Sequence, residues 1–127
     1  MDMDIIEILK NSLTSKCKES EILLIKKSNE NYFELLISLL EVLLNEANNL
    51  HIRQISIITI KNLISNSKEN KRKWIDISLD KKIDFTKNIL KTLNSNVPLI
   101  LKKSCAISLA GKYKEINFLK LYFIKNK

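Results

Sequence analysis

Cys17, Cys105 and His51 are the residues of this 127-residue chain best suited to nucleophilic or metal chemistry, and their small number argues against both. A structural zinc site needs four ligands, which two thiols and one imidazole cannot supply unless carboxylates join them. A nucleophile needs a base held beside it. No Ser, Asp or Cys set stands at a spacing that would build such a pair, and His51, at the start of an apolar stretch, reads as a surface or packing residue. An enzyme is therefore disfavoured, and neither cofactor nor metal is expected. The two cysteines lie far apart, each in an otherwise apolar helical stretch, which predicts reduced core thiols.

The charged residues offer recognition chemistry instead. Lys and Arg number 22 against 14 Asp and Glu, a net charge of +8 that is unevenly spread. Residues 1–50 carry five Lys and nine acids, whereas residues 51–127 carry 17 basic and five acidic residues. A basic half can attract nucleic acid or an acidic protein surface. Twenty of the 22 basic residues are Lys, which alongside abundant Ile and Asn has the look of coding bias. Arg forks, Gly-rich loops and stacking aromatics within a basic strip are missing, so nucleic-acid binding is disfavoured. The densest cluster, Lys71-Arg72-Lys73, ends a stretch over 65–73 with no apolar residue before Trp74. It could pass for a nuclear-localisation or phosphate-contact cluster, but a solvated loop is the better reading.

Elements that could position these charges follow from hydrophobic periodicity. The chain is 45% hydrophobic with one Gly and one Pro, too few turn residues for many strands, which predicts an all-α protein. Helices are expected at 4–13, 16–28, 32–47, 51–65, 80–94, 97–113 and 116–125. Residues 52–64 form a run too long for an ordinary strand and apolar nearly all round, so other helices must cover that helix on several sides. Asn31 is placed to cap helix 32–47, with Glu34 three positions on reaching back. In that helix Phe33, Leu36, Leu40 and Leu43, widened by Ile37, Leu39 and Leu44, point inward, and Glu34, Ser38, Glu41 and Asn45 point outward. Helix 80–94 repeats the scheme, with Ile83, Thr86, Ile89, Leu90 and Leu93 inward and Asp84, Lys87, Asn88 and Lys91 outward. No apolar run approaches the ~18 residues of a membrane span, and the first residues are acidic where a secretory signal is basic. A soluble intracellular chain with no membrane partner is expected.

Paired helices recur at spacings that scatter around the ~40–47 residues of HEAT-type units. Each pair has an apolar flank that only the next pair can cover, which predicts an α-α superhelix, a HEAT/armadillo-like solenoid of antiparallel helix pairs. Residues 1–127 would then hold about two and a half repeats. A solenoid stopping inside its third pair reads as the amino-terminal fragment of a longer protein.

Arg53 and Lys61 lie eight positions apart, roughly 80° around a helix, so both heads can leave the core on one side. Arg53 followed by Lys61-Asn62, the aliphatic filling between them, and Trp74 beyond a basic stretch resemble the second helical repeat of the importin-beta (karyopherin-beta) amino-terminal domain. The helix at 99–112 is similar to that family too. The resemblance implies a nuclear transport receptor that works between cytoplasm and nucleus and at the nuclear pore. It binds cargo proteins and nucleoporins, and releases cargo when the GTP form of the small GTPase Ran engages the amino-terminal repeats. Second helices of successive pairs line the concave surface in that family, which makes Glu34, Ser38, Glu41, Asn45, Asp84, Lys87, Asn88 and Lys91 the candidate Ran contacts. It also implies that much of the GTPase interface lies past residue 127, so binding by these repeats alone would be weak or undetectable. Arg53, Lys61, Asn62 and Trp74 take structural roles, the basic heads on acids or helix-end carbonyls and Trp74 pinning the polar stretch back. The alternative is a generic HEAT-repeat interaction scaffold unrelated to transport, or an unrelated three-pair bundle complete in itself.

Overall fold

The computed structural model describes residues 4–65 and 67–94, with residues 99, 102 and 103. The helices expected at 97–113 and 116–125, and Cys105 with them, fall almost wholly outside the described residues. Six helices and no strand are found among those described: α1 (Ile5–Asn11), α2 (Cys17–Glu30), α3 (Tyr32–Leu44), α4 (Leu50–Ser65), α5 (Lys68–Ile75) and α6 (Leu79–Asn94). None of them is long and apolar enough to cross a membrane.

Local signals start most of these helices. Asp4, Asn31, Asn49 and Ser67 each place a side-chain oxygen on an otherwise unpaired backbone N–H of the first turn, at 3.2, 3.1, 2.9 and 3.0 Å for α1, α3, α4 and α5. Asn31 caps α3 as expected, but Glu34 does not reach back to close a box. The Asn31 N–H is already spent on the Lys27 carbonyl at 2.9 Å, ending α2, so one residue terminates one helix and opens the next.

The core gathers on α3 and α4, which pack against each other more extensively than any other pair, with α6 against α3 and α5 against α4. Leu36, Leu39 and Leu43 of α3 meet Ile57 and Ile60 of α4 with almost no exposure, and Ile8 and Leu9 of α1 are equally buried. Helix α4 touches α1, α3 and α5, which is the several-sided cover its apolar circumference demands. This is the packing of a HEAT-like helical repeat. The inward sets are wider than periodicity indicated: Tyr32, Leu35 and Val42 join α3's buried face, and Phe85 and Thr92 join α6's, whereas Leu90 is half-buried. Leu93 lies outside the side chains described.

Three expectations need correction. Residues 68–75 are helix, not loop. Helix α3 ends at Leu44 rather than at 47, because its last carbonyls find side-chain partners there. Asn48 Nδ2 donates to the Val42 carbonyl at 3.0 Å, and Asn45 turns extended and accepts from the Ala47 N–H at 2.9 Å. Cys17 is exposed rather than in the core, since α2 leans on its neighbours through the small buried side chains Ser20 and Ser28 and leaves its first turn in solvent.

Two further side chains pin α3 to α4. Ser56 Oγ donates to the Leu39 carbonyl at 2.6 Å, and the Tyr32 hydroxyl donates to the Leu63 carbonyl at 2.6 Å, answering an orphan acceptor in the last turn of α4. Burial raises the Tyr32 phenol pKa above its usual value. Tyr32→Phe is expected to cost about 1–3 kcal/mol in urea denaturation, because the Leu63 carbonyl is left buried and unpaired. The phenol adds a pH signature. Its folded pKa exceeds its unfolded one, so its contribution is whole below about pH 10 and falls as pH rises further, as the unfolded chain ionises first. The stability difference between the two proteins should shrink there; an unchanged difference would contradict the burial.

Candidate interaction face

The sequence marked the outer sides of α3 and α6, and the fold brings those two helices side by side. Phe33 of α3 meets Phe85 of α6 at 6.4 Å between ring centroids, and Phe85 meets Trp74 of α5 edge-on at 5.9 Å. Lys81 of α6 reaches across to place its ammonium 5.3 Å from the centre of the Phe33 ring. A chain of three aromatic rings thus fixes how α3, α5 and α6 sit.

Glu34 and Glu41 are exposed on α3, with Ser38 half-buried between them. The three line one groove of about 690 Å³ together with Ile5, Lys27, Glu30, Asn31, Leu35 and Ile37. Asn45 is exposed too, but it sits past the end of the helix and outside that groove. On α6, Asp84, Lys87 and Lys91 are exposed, and Asn88 is half-buried with its amide nitrogen turned back onto the Asp84 carbonyl at 2.9 Å. The α6 set does not line the α3 groove. The acidic α3 set thus lines a groove with residues of α1 and α2, and α6 carries a separate mixed strip whose last turn is basic.

The residues at the family-like spacing are scattered over several roles. Arg53 is 7% exposed, and its Nε donates to the Leu43 carbonyl at 2.7 Å. Its head takes a helix-end carbonyl, as expected, but inside the core rather than by leaving it, because the end of α3 offers a carbonyl with no partner within the helix. Lys61 is half-buried on α4, and the exposed Asn62 lends its carbonyl to Asn70 Nδ2 at 3.3 Å. Trp74 is buried beside Phe85, with Lys82 Nζ 5.6 Å above its ring. His51 is exposed. No group of three or more His, Cys, Asp or Glu that could hold a metal occurs among the described residues.

Sequence reasoning overlooked α5 as a positioning element. Asn70, Lys73, Trp74 and Ile77 recur at helical spacing and turn inward. Lys73 Nζ donates to Ser28 Oγ at 3.0 Å and Asn29 Oδ1 at 2.8 Å, and lies 5.9 Å from the centre of the Tyr32 ring. The available signal was Ser67 three residues before Asn70, a helix-start pattern that needs no apolar periodicity.

Compared with known proteins, residues 25–95 match a family described as the importin-beta N-terminal domain. The match spans more than half of the chain and takes in α3, α4, α5 and α6 whole. No curated protein and no solved structure matches the chain.

Proposed function

Because the chain belongs to the family that shares the importin-beta N-terminal domain, we propose that it acts in a nuclear transport receptor, where the outer faces of α3 and α6 engage Ran in its GTP form and thereby trigger cargo release. The observation that carries this reading is the family match over α3–α6, together with exposed charge on the outer sides of both α3 and α6. Glu34 and Glu41 are suited to basic residues of the GTPase, and Lys87 and Lys91 to acidic ones. Exposed pairs of this kind set encounter rate and orientation more than affinity. Shuttling between cytoplasm and nucleus, with cargo proteins and nucleoporins as further partners, belongs to the same proposal.

The test is a heteronuclear NMR titration of the chain with Ran loaded with GTP or with GDP, a measurement sensitive to weak binding. Amide shifts confined to α3 and α6 and specific to the GTP form are expected. The double variant Glu34→Lys with Glu41→Lys should weaken that response about three- to tenfold, as reversal of two exposed pairs does. Equal responses to both nucleotide forms would favour a helical-repeat scaffold unrelated to transport. Binding tighter than about 1 µM (roughly −8 kcal/mol) would mean that the GTPase interface sits mainly within these repeats.

A further inference from the structure

Helix α5 has two sides of opposite character. Its inner stripe, Asn70, Lys73 and Trp74, is bonded to α2 and α4 or packed against the core, and Ile77 just past its end packs there too. Its outer stripe, Lys68, Lys71, Arg72 and Ile75, follows the same three- and four-residue spacing and is exposed throughout. Ile75 is 65% exposed, and Leu79, past a short turn at the start of α6, is 55% exposed. The ion pair on α5 belongs to the other side, Lys73 with Glu69 at 3.8 Å, and among the described residues no carboxylate is paired with the three outer cations.

We propose that this outer stripe of α5 is a docking surface for an acidic, amphipathic segment of a partner protein, distinct from the α3–α6 face. Three cations in two turns of a helix held rigidly by Trp74 and Lys73 give a preorganised positive surface, which lowers the ordering cost of binding. Ile75, which ends the stripe, and the exposed Leu79 beyond the turn specify what kind of acid it takes. A nucleic-acid backbone has no use for Ile75 and Leu79, and a phosphate site would be expected to offer Arg forks and stacking rings. Here there is one Arg, and the only Trp of the chain faces inward. A protein segment with carboxylates beside leucine-like side chains satisfies both halves of the surface. The half of the chain from residue 51 onward, with 17 basic and five acidic residues, draws such a partner from a distance.

The experiment is fluorescence anisotropy of the 127-residue chain with a labelled helical peptide carrying a glutamate stripe beside a leucine stripe. A glutamine-for-glutamate version and a labelled oligothymidine serve as controls. The glutamate peptide should bind, the glutamine version should not, and affinity should fall with added salt. Combining Lys68→Glu, Lys71→Glu and Arg72→Glu should weaken binding at least about tenfold, the outcome of reversing three exposed pairs. Ile75→Ser, which touches no charge, should weaken it about threefold, and circular dichroism matching the parent chain shows that each variant still folds. Indifference to the charge reversals, equal binding of the glutamine peptide, or tighter binding of oligothymidine than of the peptide would each overturn the proposal. None of these outcomes depends on Ran, so this surface and the α3–α6 face stand or fall separately.

Discussion

Replacing Trp74 with Ala should cost about 3–5 kcal/mol of folding stability, the usual range for deleting a fully buried large aromatic. Trp74 is 2% exposed and meets Phe85, which in turn meets Phe33, so its removal opens a void where α5, α6 and α3 converge. Small domains are stable by only about 5–15 kcal/mol, so the variant should unfold at much lower urea concentration. Circular dichroism is the readout, since the substitution removes the chain's only Trp as a fluorescent probe. Native-state hydrogen exchange adds a local test. The amides of α5 should lose more protection than those of α4, because Trp74 is the one apolar residue of α5 that is buried. A loss below about 1 kcal/mol would mean that α5 is not anchored through this ring, and the rigid basic stripe proposed on its outer side would lose its foundation.

Arg53→Ala should cost about 2–4 kcal/mol, by a different route. The guanidinium Nε serves the Leu43 carbonyl at the end of α3, and the aliphatic stem fills space between α3 and α4. Arg53→Met separates the two contributions, since it keeps most of the stem and removes the donor. The methionine variant should lose about 1–3 kcal/mol, the cost of stranding a buried carbonyl, and the alanine variant should lose more. Arg53→Lys should not restore the parent stability, because an ammonium lacks the planar Nε donor and is more strongly hydrated than a guanidinium. Equal stability of the methionine variant and the parent would show that burial of the guanidinium cancels the benefit of its hydrogen bond. That outcome would remove the physical reason for an arginine at this position.

The amino-acid sequence by itself determined the helices with a strong apolar period. Helices α3, α4 and α6 could be placed because Leu and Ile recur at three and four residues, and the start of α3 was marked by Asn31. The Arg53 to Lys61-Asn62 spacing with Trp74 carried the family, because those positions lie within the segment that the family match covers. Tertiary structure alone decided the rest, wherever a polar side chain turns inward to meet a partner distant in the chain. Helix α5 escaped notice because its inner positions are occupied by Asn70 and Lys73, whose partners are Asn62 on α4 and Ser28 and Asn29 on α2, 44 or 45 residues from Lys73. The inward turn of Arg53 depended on where α3 ends, and that end depended on Asn45 and Asn48 bonding beyond the helix. Hydrophobic burial leaves a period in the sequence because it repeats along one face. A hydrogen bond between distant residues repeats nowhere, so only the folded chain shows which polar groups it brings together.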